Sequence, residues 1–310
     1  MTHLSVMAQD VVAALDPQAG EIFVDGTFGR GGYTEALLVK APCTVWAIDR
    51  DPEAIQAARV MAGAYEGRLH VIEGCFGQMD RLLNERGVSA VDGVALDIGV
   101  SSPQFDNPQR GFSFRFDGPL DMRMGSEGPT AADLVNELAE EDLANLIYRY
   151  GEERHSRRIA KAIVAARPIT RTLELAEAVR SVMRKSHDGI DPATRTFQAL
   201  RIAVNDELEE LESGLVAAEN LLKPGGRLAV VAFHSLEDRI VKEFLNIRAM
   251  KNQGGSRHLP QAQTVRKPSF GQIERRFPSD GEVAANPRAR SARLRSAVRS
   301  HAPAWGKEGS

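Results

Sequence analysis

Apolar positions in the first hundred residues come in short runs, each closed by an acid and separated by amphipathic stretches. Ile22-Phe23-Val24 runs into Asp25, residues 44–48 run into Asp49, and residues 69–72 run into Glu73. Residues 91–97 (VDGVALD) are almost wholly apolar, as expected of a strand covered on both faces. Between them, residues 34–40 and 52–61 carry helical spacing, with Asp51 placed to cap the second helix and Pro52 in its first turn. Alternating strands and helices predict a doubly wound, mostly parallel sheet. From residue 130 to 205 the rhythm changes to helical patterns alone, at 131–135, 141–150, 155–166 and 173–184. The alternation then resumes with a helix over 206–222, a Lys223-Pro224-Gly225-Gly226 stop and a fifth strand over 227–233. Residues 250–290, rich in Gly, Pro, Arg and Gln, predict loop or hairpin. The pattern therefore predicts a Rossmann-like domain formed by residues 1–108 and 206–310, interrupted by an inserted all-helical domain, 109–205.

The turn after the first strand, 25–32 (DGTFGRGG), is glycine-rich and opens a helix. Glycine permits positive φ and lets backbone N–H groups approach a ligand with no Cβ in the way. Its glycines depart from the dinucleotide spacing, and Asp25 at the strand end would repel a pyrophosphate. An acid there suits a ligand carrying an ammonium group, such as S-adenosylmethionine. Asp49, ending the second strand, is placed to accept both ribose hydroxyls. Together the two features resemble a class I methyltransferase; a NAD-binding or unrelated Rossmann domain is the alternative at this point.

Composition narrows the class. With 310 residues, 43% hydrophobic and 26% charged, the chain reads as an ordinary globular protein of two domains. No signal-peptide pattern and no apolar stretch of membrane-spanning length is present, which predicts a cytoplasmic protein with no membrane partner. Its 2 cysteines, Cys43 and Cys75, read as reduced thiols, and no His/Cys spacing suggests a metal. The net charge of −3 conceals an asymmetry: acids dominate the first half and bases the second. Arg149, Arg154, Arg157, Arg158, Lys161, Arg167 and Arg171 form one basic group; Arg288, Arg290, Arg293, Arg295 and Arg299 form another. Such polarity fits a polyanion, although a solvated helix face explains the first group equally well. The arginine tail leans toward nucleic acid.

In a doubly wound sheet ligands sit beyond the strands' carboxyl ends, so the loop after Asp97 faces the cofactor. Enzymes that methylate exocyclic amines of bases often carry Asp/Asn/Ser-Pro-Pro-Tyr/Phe there, and Ser102-Pro103-Gln104-Phe105 is a degenerate version. Such an amine is a poor nucleophile because its lone pair is delocalised into the ring. The Ser102 hydroxyl and Pro103 carbonyl are placed to accept its hydrogens, and Phe105 to stack the extruded base. A plain turn with Phe105 in the core is the alternative. Arg110 and Arg115, further along the loop, are candidates to hold phosphates, as are Arg157 and Arg158. His234, Ser235 and Asp238 suggest a hydrolytic triad, but their place at a strand-to-helix junction favours a cap by Ser235.

Taken in order, 25–32 (DGTFGRGG), 96–104 (LDIGVSSPQ), 110–114 (RGFSF), 117–124 (DGPLDMRM), 150–154 (YGEER), 194–201 (TRTFQALR), 233–239 (FHSLEDR) and 286–291 (NPRARS) resemble the RsmH (MraW) family over nearly the whole chain. The resemblance implies S-adenosylmethionine-dependent N4-methylation of a cytidine in the decoding, P-site region of 16S rRNA, within the assembled 30S subunit. It implies cofactor contacts at Gly31, Gly32, Tyr33, Asp49, Phe76, Asp97 and Gln104, and it leaves a homodimer open. A DNA amino-methyltransferase and a cofactor-binding ribosome-assembly factor are the competing readings. Two departures from the family pattern stand out. The glycine turn ends in Tyr33 where the family carries His, and the N-terminal His3-Leu4-Ser5-Val6-Met7 lacks the family's proline.

Overall fold

The computed structural model describes residues 5–184, 189, 191–251 and 266–306; His3 lies outside them. The chain divides into two compact units, Met1–Gly99 with Leu208–Ser310, and Val100–Glu207. The loop after the fourth strand thus groups with the helices, earlier than the boundary at 108/109 drawn from the sequence.

The first unit opens with α1 (Ala8–Leu15) and β1 (Ile22–Asp25), then α2 (Gly32–Lys40), β2 (Thr44–Asp49), α3 (Pro52–Ala62), β3 (Leu69–Glu73), α4 (Met79–Asn84) and β4 (Val91–Asp97). The second unit holds α5 (Ser102–Asp106), α6 (Ala131–Glu137), α7 (Glu140–Gly151), α8 (Ser156–Ala165), α9 (Thr172–Val182) and α10 (Ala193–Asn205). The first unit then resumes through α11 (Glu207–Leu221), β5 (Leu222–Ala232), α12 (Ser235–Arg248), β6 (Phe270–Arg276), α13 (Asp280–Ala285) and β7 (Arg293–Arg299).

Among the described residues seven strands form one sheet, in the order β3-β2-β1-β4-β5-β7-β6. The first five are parallel, and β7 runs antiparallel between β5 and β6. Alternate residues of each strand feed two cores. Phe23, Ala95, Ala229 and Val231 pack with α1, α2 and α3; Val24, Val94, Leu96, Leu228 and Val230 pack with α4, α11 and α12. Period-2 alternation between two apolar layers makes the central strands read as continuous apolar runs. Gly93 sits in β4 because a Cβ there would meet the Phe23 ring within 2.6 Å. Asp51 caps α3 as the sequence predicts, accepting from Glu53 N at 3.0 Å.

Three features differ from the sequence reading. Residues Lys223–Gly226 do not simply end α11: Leu222 already pairs with Val91, and pairing resumes at Arg227 beside Gly93 across an irregularity. The stretch read as loop contains β6 and α13. The arginine tail is the inner strand β7. Its Arg295 donates to both carboxylate oxygens of Asp238 on α12, at 2.6 and 3.1 Å, and Arg293 adds a bond at 2.9 Å. The Arg299 guanidinium is buried and donates to the carbonyls of Glu219, Ser269, Ser300 and Ala302. Arg295 and Arg299 are consumed inside the fold and are not part of a nucleic-acid tail; Arg293 pairs with Asp238 but stays 43% exposed, and Arg288 and Arg290, just before β7, are exposed.

The second unit is helical among its described residues. Leu120, Val135, Leu143, Ile147, Ile159, Ile163, Leu175, Val179 and Leu200 form its core. Helix α8 buries Ile159 and Ile163 and exposes Arg157, Arg158 and Lys161. Among the described residues no helix is long and apolar enough to cross a membrane.

A buried ion pair fastens Trp305 and Gly306. Glu219 on α11 accepts from Arg248 Nε at 3.0 Å, from the Ser269 hydroxyl, and from Trp305 N at 3.3 Å. Replacing Glu219 with Ala strands the Arg248 guanidinium in an apolar layer. The loss should be about 3 kcal/mol or more in a denaturant titration, and Glu219→Leu with Arg248→Met should recover much of it. A loss below about 1 kcal/mol would show the pair to be dispensable.

Candidate active site

The strand order reverses between β1 and β4, which opens a crevice at their carboxyl ends. Asp25 ends β1, Asp97 ends β4 and Asp49 ends the adjacent β2. The glycine turn lies between them and is pinned by all three. Gly29 N donates to Asp49 Oδ2 at 2.8 Å, and Asp51 N donates to its Oδ1 at 2.9 Å. Asp25 accepts from Thr34 Oγ1 at 2.7 Å, Thr34 N at 3.1 Å and Thr27 N at 3.3 Å. Asp97 N donates to Thr27 Oγ1 at 2.6 Å. Gly29 and Gly31 adopt φ of 52° and 77°, where a side chain would be strained. Gly32 and Tyr33 occupy the first turn of α2, so their N–H groups have no carbonyl of their own helix to meet.

Burial shapes the charge of this site. Asp25 is pushed up to about 6, chiefly by desolvation, against the hydrogen bonds from Thr34 and Thr27. Asp97 is pushed up to about 8 by desolvation, then by Asp25 and Glu237. Asp49 is also raised by burial, and the N–H groups it accepts from oppose the shift. The Asp97 side chain keeps some exposure, yet its Oδ1 is inaccessible and accepts no hydrogen bond. A buried acceptor without a donor is costly, and a ligand bringing a donor or a cation removes that cost. The site therefore fits a ligand with positive charge and hydroxyl groups, and disfavours a pyrophosphate.

The remaining candidates are placed as follows. The Tyr33 ring lies in the core, and its hydroxyl donates to Val6 O at 2.6 Å, so only its backbone is available to a ligand. Phe76 opens a 3₁₀ turn, Phe76–Gln78; its ring leaves no room for a side chain at Gly214, and its Cβ borders Gly26 of the glycine turn. Gln104 belongs to the second unit, where it is buried and its Oε1 accepts from Ser101 N at 2.9 Å. The Ser-Pro-Gln-Phe stretch is the short helix α5, capped by Ser101. The Arg115 guanidinium is exposed and lies 5.7 Å from the Phe105 ring centroid. Arg110 donates to the carbonyls of Arg123 and Met124 at 3.1 Å each and organises its own loop.

Helix α12 corrects a sequence expectation. Its cap is His234 rather than Ser235: Glu237 N donates to His234 Nδ1 at 3.4 Å, and His234 Nε2 lies 2.8 Å from Glu237 Oε1. With Asp238 held by Arg293 and Arg295, no hydrolytic triad forms. Sequence reasoning missed Glu237, which is wholly buried and accepts from Phe233 N at 2.7 Å and His234 N at 3.2 Å. Its spacing three residues after the cap was the available signal.

The raised Asp97 carboxyl sets a pH-dependent cost. The folded state holds its proton up to about pH 8, whereas an unfolded carboxyl releases it near the ordinary 3.8, so the cost grows as pH rises through that window. Asp97→Asn should leave the ligand-free melting temperature unchanged near pH 4 and raise it increasingly toward pH 8. Equal melting curves for both proteins at pH 8 would contradict a buried, unpaired Asp97.

Known proteins match this chain over almost its full length. A protein of Rhodospirillum centenum named ribosomal RNA small subunit methyltransferase H is 65% identical, with 97% of this chain and 93% of that protein covered. Its namesake in Paramagnetospirillum magneticum is 60% identical, with 98% and 97% covered. A third namesake, in Rhodospirillum rubrum, is 56% identical, with 98% and 96% covered. The family model described as MraW methylase matches residues 1–300, and the chain belongs to the MraW methylase family.

Proposed function

We propose that the chain methylates N4 of a cytidine in the decoding, P-site region of 16S rRNA, acting on the assembled 30S subunit. The coarser statement follows from family membership: the chain is an S-adenosylmethionine-dependent rRNA methyltransferase. The observation that carries the site assignment is Asp97, whose inaccessible Oδ1 has no donor at the point where the strand order reverses.

S-adenosylmethionine, when bound, supplies an electrophilic methyl on a positively charged sulfur. The chain's residues do the rest. We assign Asp97 to a hydrogen-bond donor or positive charge of the cofactor. Asp49 retains lone pairs for the ribose hydroxyls after accepting two backbone N–H groups. Gly31, Gly32 and Tyr33 contribute backbone, Phe76 an aromatic flank, and Gln104, by the family resemblance, a further contact. Ser102 and Pro103 accept the amine's hydrogens and favour a pyramidal nitrogen, while Phe105 stacks the extruded base. Holding the amine in line with the methyl supplies much of the rate. The exposed face of α8, with Arg157, Arg158 and Lys161, is assigned to rRNA phosphates, and Arg115 to the same role.

The deciding experiment transfers labelled methyl to 30S subunits lacking this modification, followed by nucleoside mass analysis. N4-methylcytidine is the expected product, and replacing Arg157, Arg158 and Lys161 together should raise the KM for 30S. Transfer to duplex DNA or naked RNA but not to 30S would reject the substrate, and an unaltered KM would remove α8 from the interface.

A second prediction concerns cofactor affinity. A cation binds the ionised form of Asp97, which is scarce below about pH 8 in the free protein. Affinity for S-adenosylmethionine should climb by up to about tenfold per pH unit between about pH 6 and pH 8 and then level off. Asp97→Asn should weaken binding and flatten this profile in calorimetry. An equally steep profile in that variant would assign the titration to another group.

A further inference from the structure

A cavity of about 280 Å³ opens beside the catalytic crevice, within the first unit. Phe233 and Ser235 from the β5–α12 junction, Phe277 after β6, and Arg290 and Arg293 before and at the start of β7 contribute to its lining. No carboxylate is among the residues that line it. Two arginines, Arg293 and Arg295, share the carboxylate of Asp238, and the neighbouring carboxylate of Glu237 is wholly buried behind the lining His234. The exposed Arg290 adds a positive charge. Phe277 is 56% exposed, and Arg275 braces it with its guanidinium 4.9 Å from the ring centroid. A large aromatic ring left in solvent beside cations is costly as core and useful as a stacking platform. Phe233 forms the wall shared with the crevice: its ring packs within 3.3 Å of the position a Cβ would take on Gly99, two residues beyond Asp97.

Resting on the methyltransferase reading above, we propose that this cavity holds one nucleotide of the RNA strand, a neighbour of the target. Phe277 stacks its base, and Arg290 with Arg293 holds its phosphate. The chemistry agrees on each count. Arginine forks match phosphate oxygens, stacking on an aromatic ring accepts any base, and the absence of lining carboxylates spares the phosphate repulsion. The neighbouring crevice presents the carboxyl groups of Asp25, Asp49 and Asp97 to the same backbone in place of arginines. An RNA strand crossing both sites is thus drawn to the arginine cavity while only the target base enters the acidic crevice. The two sites divide the work by sign of charge: cationic cofactor on one side of Phe233, anionic backbone on the other.

The test is fluorescence anisotropy with a labelled single-stranded oligoribonucleotide of about ten nucleotides, alongside methyl transfer to 30S subunits. Arg290→Ala and Phe277→Ala alter exposed side chains, so folding and S-adenosylmethionine binding should persist. Each should weaken oligoribonucleotide binding by about tenfold and raise the KM for 30S with a smaller change in kcat. Arg290→Ala should also lower the slope of log affinity against log salt by about 0.7, the value for one lost phosphate contact on a single strand. Arg81→Ala, on α4 and paired with Glu85, controls for loss of a remote exposed charge and should change neither. Wild-type affinity and salt slope in both variants would overturn the cavity assignment. Wild-type protein that binds the oligoribonucleotide through these residues yet methylates no 30S would refute the proposed function and leave the cavity assignment standing.

Discussion

Three buried or half-buried carboxyls at the ends of adjacent parallel strands govern this molecule. The reversal of strand order forces β1 and β4 side by side, and so brings Asp25 close enough for its negative charge to raise Asp97, as Asp49 raises Asp25. Desolvation is the larger influence on both. Asp25 is compensated from within by Thr34 and Thr27, and Asp49 by the amides of Gly29 and Asp51. Asp97 alone has an oxygen left without a donor. The fold thus holds two acids in structural service, shaping the glycine turn, and a third in a state that a cationic ligand relieves. Relief of a pre-existing electrostatic cost is a source of binding energy that needs no rearrangement of the chain.

Arginine is spent in two opposite ways. In β7, Arg293, Arg295 and Arg299 meet carboxylate or carbonyl oxygens and join the sheet to α12 and to the residues that follow β7. On α8 and before β7, Arg157, Arg158 and Arg290 face solvent. Composition counts both kinds alike, so the basic surplus of the second half overstates the cationic surface. The planar guanidinium explains how the buried kind is tolerated: its several donors can each be given an oxygen, as Arg299 shows with four carbonyls.

The parts legible in the sequence are those where a physical constraint leaves a local mark. Parallel strands buried on both faces are apolar runs, and each run ends where an acid begins, so Asp25, Asp49 and Asp97 could be placed before any coordinates. The capped start of α3 was readable from Asp51 and Pro52. Strand β7 was not, because its arginines are paired with residues far along the chain, and nothing near Arg295 announces Asp238. His234 displaced Ser235 as cap for a similar reason: the choice depends on Glu237 folding back over the helix start. Lys223–Gly226 carries the residues of a helix stop, but it lies inside β5, between the pairs Leu222–Val91 and Arg227–Gly93, a second duty that only the neighbouring β4 reveals. The cavity beside Phe233 is assembled from separated segments and left no local pattern at all.

The two departures from the family pattern meet in space. Tyr33 stands where the family carries His, and its hydroxyl reaches Val6 O at 2.6 Å, in the segment that lacks the family's proline. An imidazole is shorter than a phenol and would not span the same path from α2. Proline stiffens a segment by fixing φ; a buried hydrogen bond restrains it from outside. The same segment is held from its other side by Met7 N, which donates to Glu282 on α13 at 2.6 Å, and Ser5 occupies the space that the missing side chain of Gly32 leaves open. Tyr33 is thereby spent on anchoring the N-terminal segment over the glycine turn. What the turn offers a ligand is left to its backbone, the one contribution that the change of side chain does not touch.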